Sequence, residues 1–187
     1  DDEFDDEGED DEFADFSEDF SDEDVAEEEI SISEAASRLG YTLSLIGASP
    51  GFVNHPLQTY NSSVDFRATF EFPMLLQIGP TRFRLGAEVG TFKFSNYKPI
   101  GGEFSGVHIT GILSFPAGPG QVKIGGGMVG KGFGFIAENS YGFAIGDALD
   151  IRIGVRSTTA LNVTDTNNNI LGTVSWMDGL IVLGVSL

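Results

Sequence analysis

A chain of 187 residues is long enough for one core of ordinary size and too short for two. It contains no cysteine, which excludes a disulfide-stapled scaffold, a thiolate zinc site and a cysteine nucleophile. The formal charge of −19 is confined to one place: residues 1–30 hold 19 of the 29 Asp and Glu and no Lys or Arg, so the rest carries 10 acidic and 10 basic groups, with no basic patch to suit nucleic acid.

The first 29 residues, DDEFDDEGEDDEFADFSEDFSDEDVAEEE, repel one another and offer little apolar surface beyond Phe4, Phe13, Phe16 and Phe20. That is too little to offset the entropy of ordering, and residues 1–35 are expected to form a disordered acidic tail. The chain begins with Asp, as expected of a mature form after removal of a signal peptide. Acid blocks of this kind act as solvated tails; this one is expected to be a solubilising spacer, the alternative being a tail that binds divalent cations or a basic periplasmic surface.

Residues 36–187, rich in Gly and Phe, read as eight alternating strands. The first, 41–49, carries the weakest pattern. From Val64 every second residue is apolar (Val64, Phe66, Ala68, Phe70, Phe72, Met74, Leu76, Ile78), with Asp65, Arg67, Thr69, Glu71 and Gln77 between them. That is a period of two kept for about fifteen residues, more than twice the usual five or six. Phe83, Leu85, Ala87 and Val89 then alternate with Arg84, Gly86 and Glu88, and Val107, Ile109, Leu113 and Phe115 with His108, Thr110 and Ser114. Val122, Ile124, Gly126 and Met128 face away from Lys123, Gly125 and Gly127. Tyr141, Phe143 and Ile145 form a sixth strand, Ile151, Ile153 and Val155 oppose Asp150, Arg152 and Arg156, and Ile181, Leu183, Val185 and Leu187 end the chain.

The connections tend to alternate in length. Residues 79–82, 116–120 and 146–148 are short and carry Gly, Pro or Asp, whereas 50–62, 96–105 and 161–175 are longer and polar. The link 137–140 is expected to be a loop and breaks the alternation by its shortness. Long and short connections at opposite ends suit an up-and-down barrel whose two rims face different compartments. In a soluble barrel the apolar set points inward; in a membrane barrel it meets lipid and the charges fill the lumen. The second arrangement is expected, because the charges between the apolar positions are few and balanced in sign: Asp65, Glu71, Glu88 and Asp150 against Arg67, Arg84, Lys123, Lys131, Arg152 and Arg156. Confined to an interior just wide enough for side chains, they should pair and plug it.

On this strand pattern, the alternating connections and the final strand IVLGVSL, residues 36–187 resemble the small eight-stranded outer-membrane β-barrel family, the group that includes the OmpA transmembrane domain, OmpX and OmpW. Those barrels end in an outward aromatic, usually Phe, where this chain has Leu187. The resemblance implies an all-β fold, an eight-stranded antiparallel up-and-down transmembrane barrel set among the lipids of a bacterial outer membrane. A soluble lipocalin-like barrel carrying an apolar ligand and a membrane-embedded lipid hydrolase are the alternatives.

Three motifs have plain structural readings. Residues 125–132, GGGMVGKG, imitate a phosphate-binding loop, but Gly132 stands where magnesium needs Ser or Thr, and a strand follows instead of a helix; the glycines are read as making room for large interior side chains. His108 in VHIT has Thr110 where a hydrolase pair would have Ser, and it is read as a hydrogen-bonded interior histidine. Asp165, Asn167 and Asn169 have calcium-loop spacing, yet Ile170 replaces the sixth-position Gly and no Glu closes the loop. No catalytic, cofactor-binding or metal-binding residue is expected. The function anticipated is structural, or adhesion and partner binding through the long loops, with His55, Tyr60, Asp165 and Trp176 near the outer rim.

Overall fold

A computed structural model describes residues 32–54, 61–96, 102–146 and 148–187, which belong to one compact unit, Ile32–Leu187. The acidic segment, with Phe4, Phe13, Phe16 and Phe20, lies outside the described residues, as do His55 and Tyr60. The unit begins before the expected boundary at residue 36, with a short helix α1 (Ile32–Leu39). Glu34 and Arg38 stand one turn apart and bond at 2.7 Å, the acid near the positive end of the helix dipole and the base near the negative end. Gly40 ends the helix with φ +61°, and a Cβ there would lie 2.5 Å from the Leu187 carbonyl oxygen.

The strands are β1 (Thr42–Val53), β2 (Asn61–Ser62), β3 (Asp65–Ile78), β4 (Thr81–Ser95), β5 (Glu103–Ala117), β6 (Gly120–Val129), β7 (Gly132–Ile145), β8 (Leu149–Thr164) and β9 (Ile170–Ser186). All the long strands pair antiparallel in the ring β4, β3, β1, β9, β8, β7, β6, β5, and the pairing of β5 with β4 closes it. The two-residue β2 adds only to the far end of β4. The fold is therefore an eight-stranded antiparallel up-and-down barrel without a free edge among its long strands.

One end holds the tight turns after β3, β5 and β7, and there Tyr41 and Leu187 exchange backbone hydrogen bonds at 3.2 and 2.8 Å. The other, the loop end, holds the connections after β1, β4 and β8. The expected loop at 137–140 is not one: those residues lie inside β7, and β6 turns into β7 through Gly130 and Lys131. The long link expected over 161–175 shrinks to 165–169, because β8 and β9 continue through the rest.

The barrel is apolar outside and charged inside. Phe66 (69% exposed), Ile153 (66%) and Ile109 (58%) point outward, while Arg156 (1%), Lys123 (0%) and Glu88 (2%) are buried in the interior. Towards the loop end the phase inverts within single strands. In β4 the outward series Ala87, Val89 gives way to Thr91 and Lys93, and the inward series passes from Glu88 to Phe92 and Phe94. The interior at that end is a packed cluster built from Phe92, Phe94, Phe104, Val129, Ala160, Val163, Leu171, Val174 and Trp176.

Candidate functional site

Strand alternation fixes which side chains meet inside: odd positions of β3 and β6, even positions of β4, β5, β7, β8 and β9. Glu88 is the central acceptor. His108 Nε2 lies 2.9 Å from its Oε1, Arg156 forms an ion pair with the same oxygen, and the Thr69 hydroxyl donates to Oε2 at 3.2 Å. Since β4 and β8 stand on opposite sides of the ring, the Glu88–Arg156 pair spans the lumen. Arg156 also lies 3.8 Å from Glu138, which lies 3.9 Å from Lys123. Arg67 pairs with Asp178 across β1.

Nearer the short-turn end, Glu71 accepts from Ser114 and, at 3.1 Å, from Gln121, and lies 3.9 Å from Arg84. Arg152 bonds to Asp150 at 2.7 Å and to Gln121. Arg84 has a second task. The β3–β4 ladder is interrupted between Glu71 and Leu75, around Pro73, which has no N–H to give. The guanidinium donates to the carbonyls of Phe72 (3.0 Å) and Glu71 (3.3 Å) and reaches the Gly40 carbonyl (2.6 Å) and the Thr42 hydroxyl (2.8 Å). It thereby ties the start of β1 to the irregular stretch of β3.

Glycines make the crowding possible. A Cβ on Gly90 would lie 2.5 Å from Arg67 Cγ and 2.5 Å from His108 Cε1, so only glycine lets those side chains approach. On β6, a Cβ on Gly127 would meet the Ile109 carbonyl oxygen at 2.2 Å, and one on Gly125 the Gly111 oxygen at 2.5 Å. The phosphate-loop imitation is thus a strand and a turn, with no helix N-terminus to bind phosphate.

Of the charges expected in the lumen, Arg67, Glu71, Arg84, Glu88, Lys123, Arg152 and Arg156 line it, and Asp150 lies at its short-turn mouth with its side chain one-third exposed. Asp65 is buried, but among the described residues no cation lies within ion-pair distance; it accepts from the Lys93 backbone. Lys131 is a correction: it sits in the β6–β7 turn and bonds to Asn168 Oδ1 at 3.2 Å, because β6 ends at Val129, two residues before it. Asp178 and Glu138 were missed. Glu138 fell in the presumed loop, and Asp178 is a lone acid whose even-numbered alternation with Met177 and Gly179 was the available signal.

Two expected rim contacts lie towards the loop end but are buried. Asp165 is buried in the β8–β9 turn, where Oδ1 accepts from the Asn167 and Asn169 amides at 2.8 and 2.7 Å and Oδ2 from the Asn169 side chain at 2.8 Å. Its oxygens hold the turn. Trp176 lies inside the barrel, its ring 5.4 Å from Phe92 and 5.2 Å from Phe94.

No family model matches the chain, and no curated protein matches it. Among solved structures it is similar to the crystal structure of Neisserial surface protein A, at 15% identity and a TM-score of 0.48, over 79% of this chain and 97% of that one. The assignment of a closed barrel rests on the strand pairing itself.

Proposed function

We propose that the chain is a non-enzymatic β-barrel of a bacterial outer membrane, its lumen closed by side chains and its loop end offered to an adhesion target or partner. The observation that carries this reading is the inverted distribution of polarity: outward Phe66, Ile109 and Ile153 would be costly in water, and inward Arg67, Glu88, Lys123 and Arg156 are affordable only as a paired network. Strands of 14 to 17 residues in β3, β4, β5, β7, β8 and β9 exceed the ~9 to 11 needed to cross at a tilt. The excess carries outward Thr91, Lys93, Ser105, Thr159 and Thr173 at the loop end, a polar collar suited to water beyond the lipid.

The hydrolase alternative loses support because His108 faces Glu88 in the buried interior, away from the lipid-facing wall. The carrier alternative loses support because the interior is occupied by its own ion pairs and aromatic rings. Gel migration before and after boiling tests the membrane reading. A detergent-extracted barrel should run faster unboiled, and a β-rich monomer soluble without detergent would end the proposal. Exchanging residues 55–60 and 97–101 for short Gly/Ser turns should remove whole-cell binding while leaving the heat shift intact.

A further inference from the structure

We propose that the outer wall holds one acyl chain of a phosphate-bearing lipid in a groove crossing β9, β1, β3, β4 and β5, with the lipid headgroup beside Lys93; this rests on the membrane reading above. The groove is a concavity of about 610 Å³ walled by Leu45, Phe66, Val89 and Ile181, with Gly47 and Ala68 in its floor. The register explains the hollow. Gly47 lies between Ile181 and Phe66, and Ala68 lies between Leu45 and Val89, so two adjacent outward rows each lack a large side chain on neighbouring strands. A Cβ on Gly47 would meet nothing within 4 Å. A second concavity of about 470 Å³ shares Gly47 and Ile181 and continues towards the loop end past Ser49 and Gly179.

The dimensions select the occupant. Five strands about 4.8 Å apart give the groove a span of roughly 19 Å, and its hollow is one missing side chain wide at Gly47 and again at Ala68. That suits a single hydrocarbon chain and is narrower than a helix ~10 Å or more across. A strand cannot dock, because the long strands leave no open edge. A second copy related by a twofold axis would set hollow against hollow and leave the space unfilled. An unfilled hollow forfeits the dispersion contacts of its walls, and in a membrane the chains at hand are lipid tails.

The headgroup end is fixed by charge. Lys93 lies one outward position beyond Thr91, which lines the groove, in the polar collar. Its ammonium bonds Glu103 at 2.8 Å with a side chain half exposed, which uses one of three donors and leaves others for a phosphate oxygen. Thr91 and Ser105 flank it on the same face.

The test uses the full chain in detergent, titrated with dioleoyl phosphatidylglycerol or dioleoylglycerol and read by native mass spectrometry. The wild type should take up one phosphatidylglycerol with at least tenfold preference over the diacylglycerol. Gly47→Leu should weaken both by tenfold or more with the heat shift unchanged; Ala68→Leu serves if that variant does not fold. Lys93→Gln should retain diacylglycerol binding and lose the preference. Equal lipid uptake by wild type and both filled variants, each heat-modifiable, would overturn the groove alone; an unchanged preference in Lys93→Gln would overturn the headgroup assignment. Loss of the heat shift in the wild type would instead remove the membrane reading beneath both.

Discussion

Glu88 concentrates the consequences of burial in one carboxylate. It answers Arg156 and His108 and accepts from Thr69, all in the buried interior of the barrel. Glu88→Gln strands Arg156 beside only Glu138, and removing one partner of a buried pair costs about 3–5 kcal/mol; thermal unfolding in detergent should register it, and an unchanged midpoint would show that water reaches the pair. Gly90→Ala should act on the same cluster from the other side. The added methyl has to displace Arg67 and His108, a case of overpacking worth about 1–3 kcal/mol. Arg84→Ala removes donors to Phe72, Glu71, Gly40 and Thr42 at once. Faster amide exchange should then appear in residues 40–43 and 71–75 before the rest of the barrel, whereas uniform protection would mean that water replaces the guanidinium without loss.

At the scale of the strand, β4 shows why some of this was legible and some was not. Its outward apolar run, Phe83 to Val89, is a clean period of two, and the inward Arg84 and Glu88 follow from it. Past Val89 the two faces exchange character: Phe92 and Phe94 turn inward while Thr91 and Lys93 turn outward. A reading that seeks one greasy face stops there and assigns the remainder to a loop, and the same exchange hides Phe104 in β5 and Trp176 in β9. β7 failed for a related reason. In GFGFIAENSYGF the outward series Phe133, Phe135, Ala137, Asn139, Tyr141 is broken by one polar residue, so Glu138 was lost with the strand that carries it. The inverted stretch supports its own prediction. Trp176 packs against Phe92, Phe94 and Phe104, so Trp176→Ala should cost about 3–5 kcal/mol as a cavity, and Trp176→Phe much less. Equal losses in the two would indicate that the indole N–H, not the ring volume, is what the cluster needs.

Across the whole molecule, the two interior layers bear on whether the barrel conducts. The charged layer is bridged between opposite strands by Glu88 and Arg156. Nearer the loop end stands an apolar layer to which β4, β5, β6, β8 and β9 all contribute. On the proposed reading an ion crossing the lumen meets two barriers of different kinds in series, one of ion-paired fixed charges and one built mainly of apolar side chains, with the Thr158 hydroxyl and the indole N–H beside them. Weakening one should leave the other standing. Arg67→Ala exposes Asp178 without its partner and loosens the charged layer, yet Phe92, Phe94, Phe104 and Trp176 remain packed beyond it. We expect the variant to melt earlier than the wild type and, like it, to give no large steady conductance in planar bilayers. A steady open channel from the wild type would mean that the side-chain plug rearranges in the membrane. The same channel from Arg67→Ala alone would mean that the charged layer is the sole barrier and the aromatic cluster leaks.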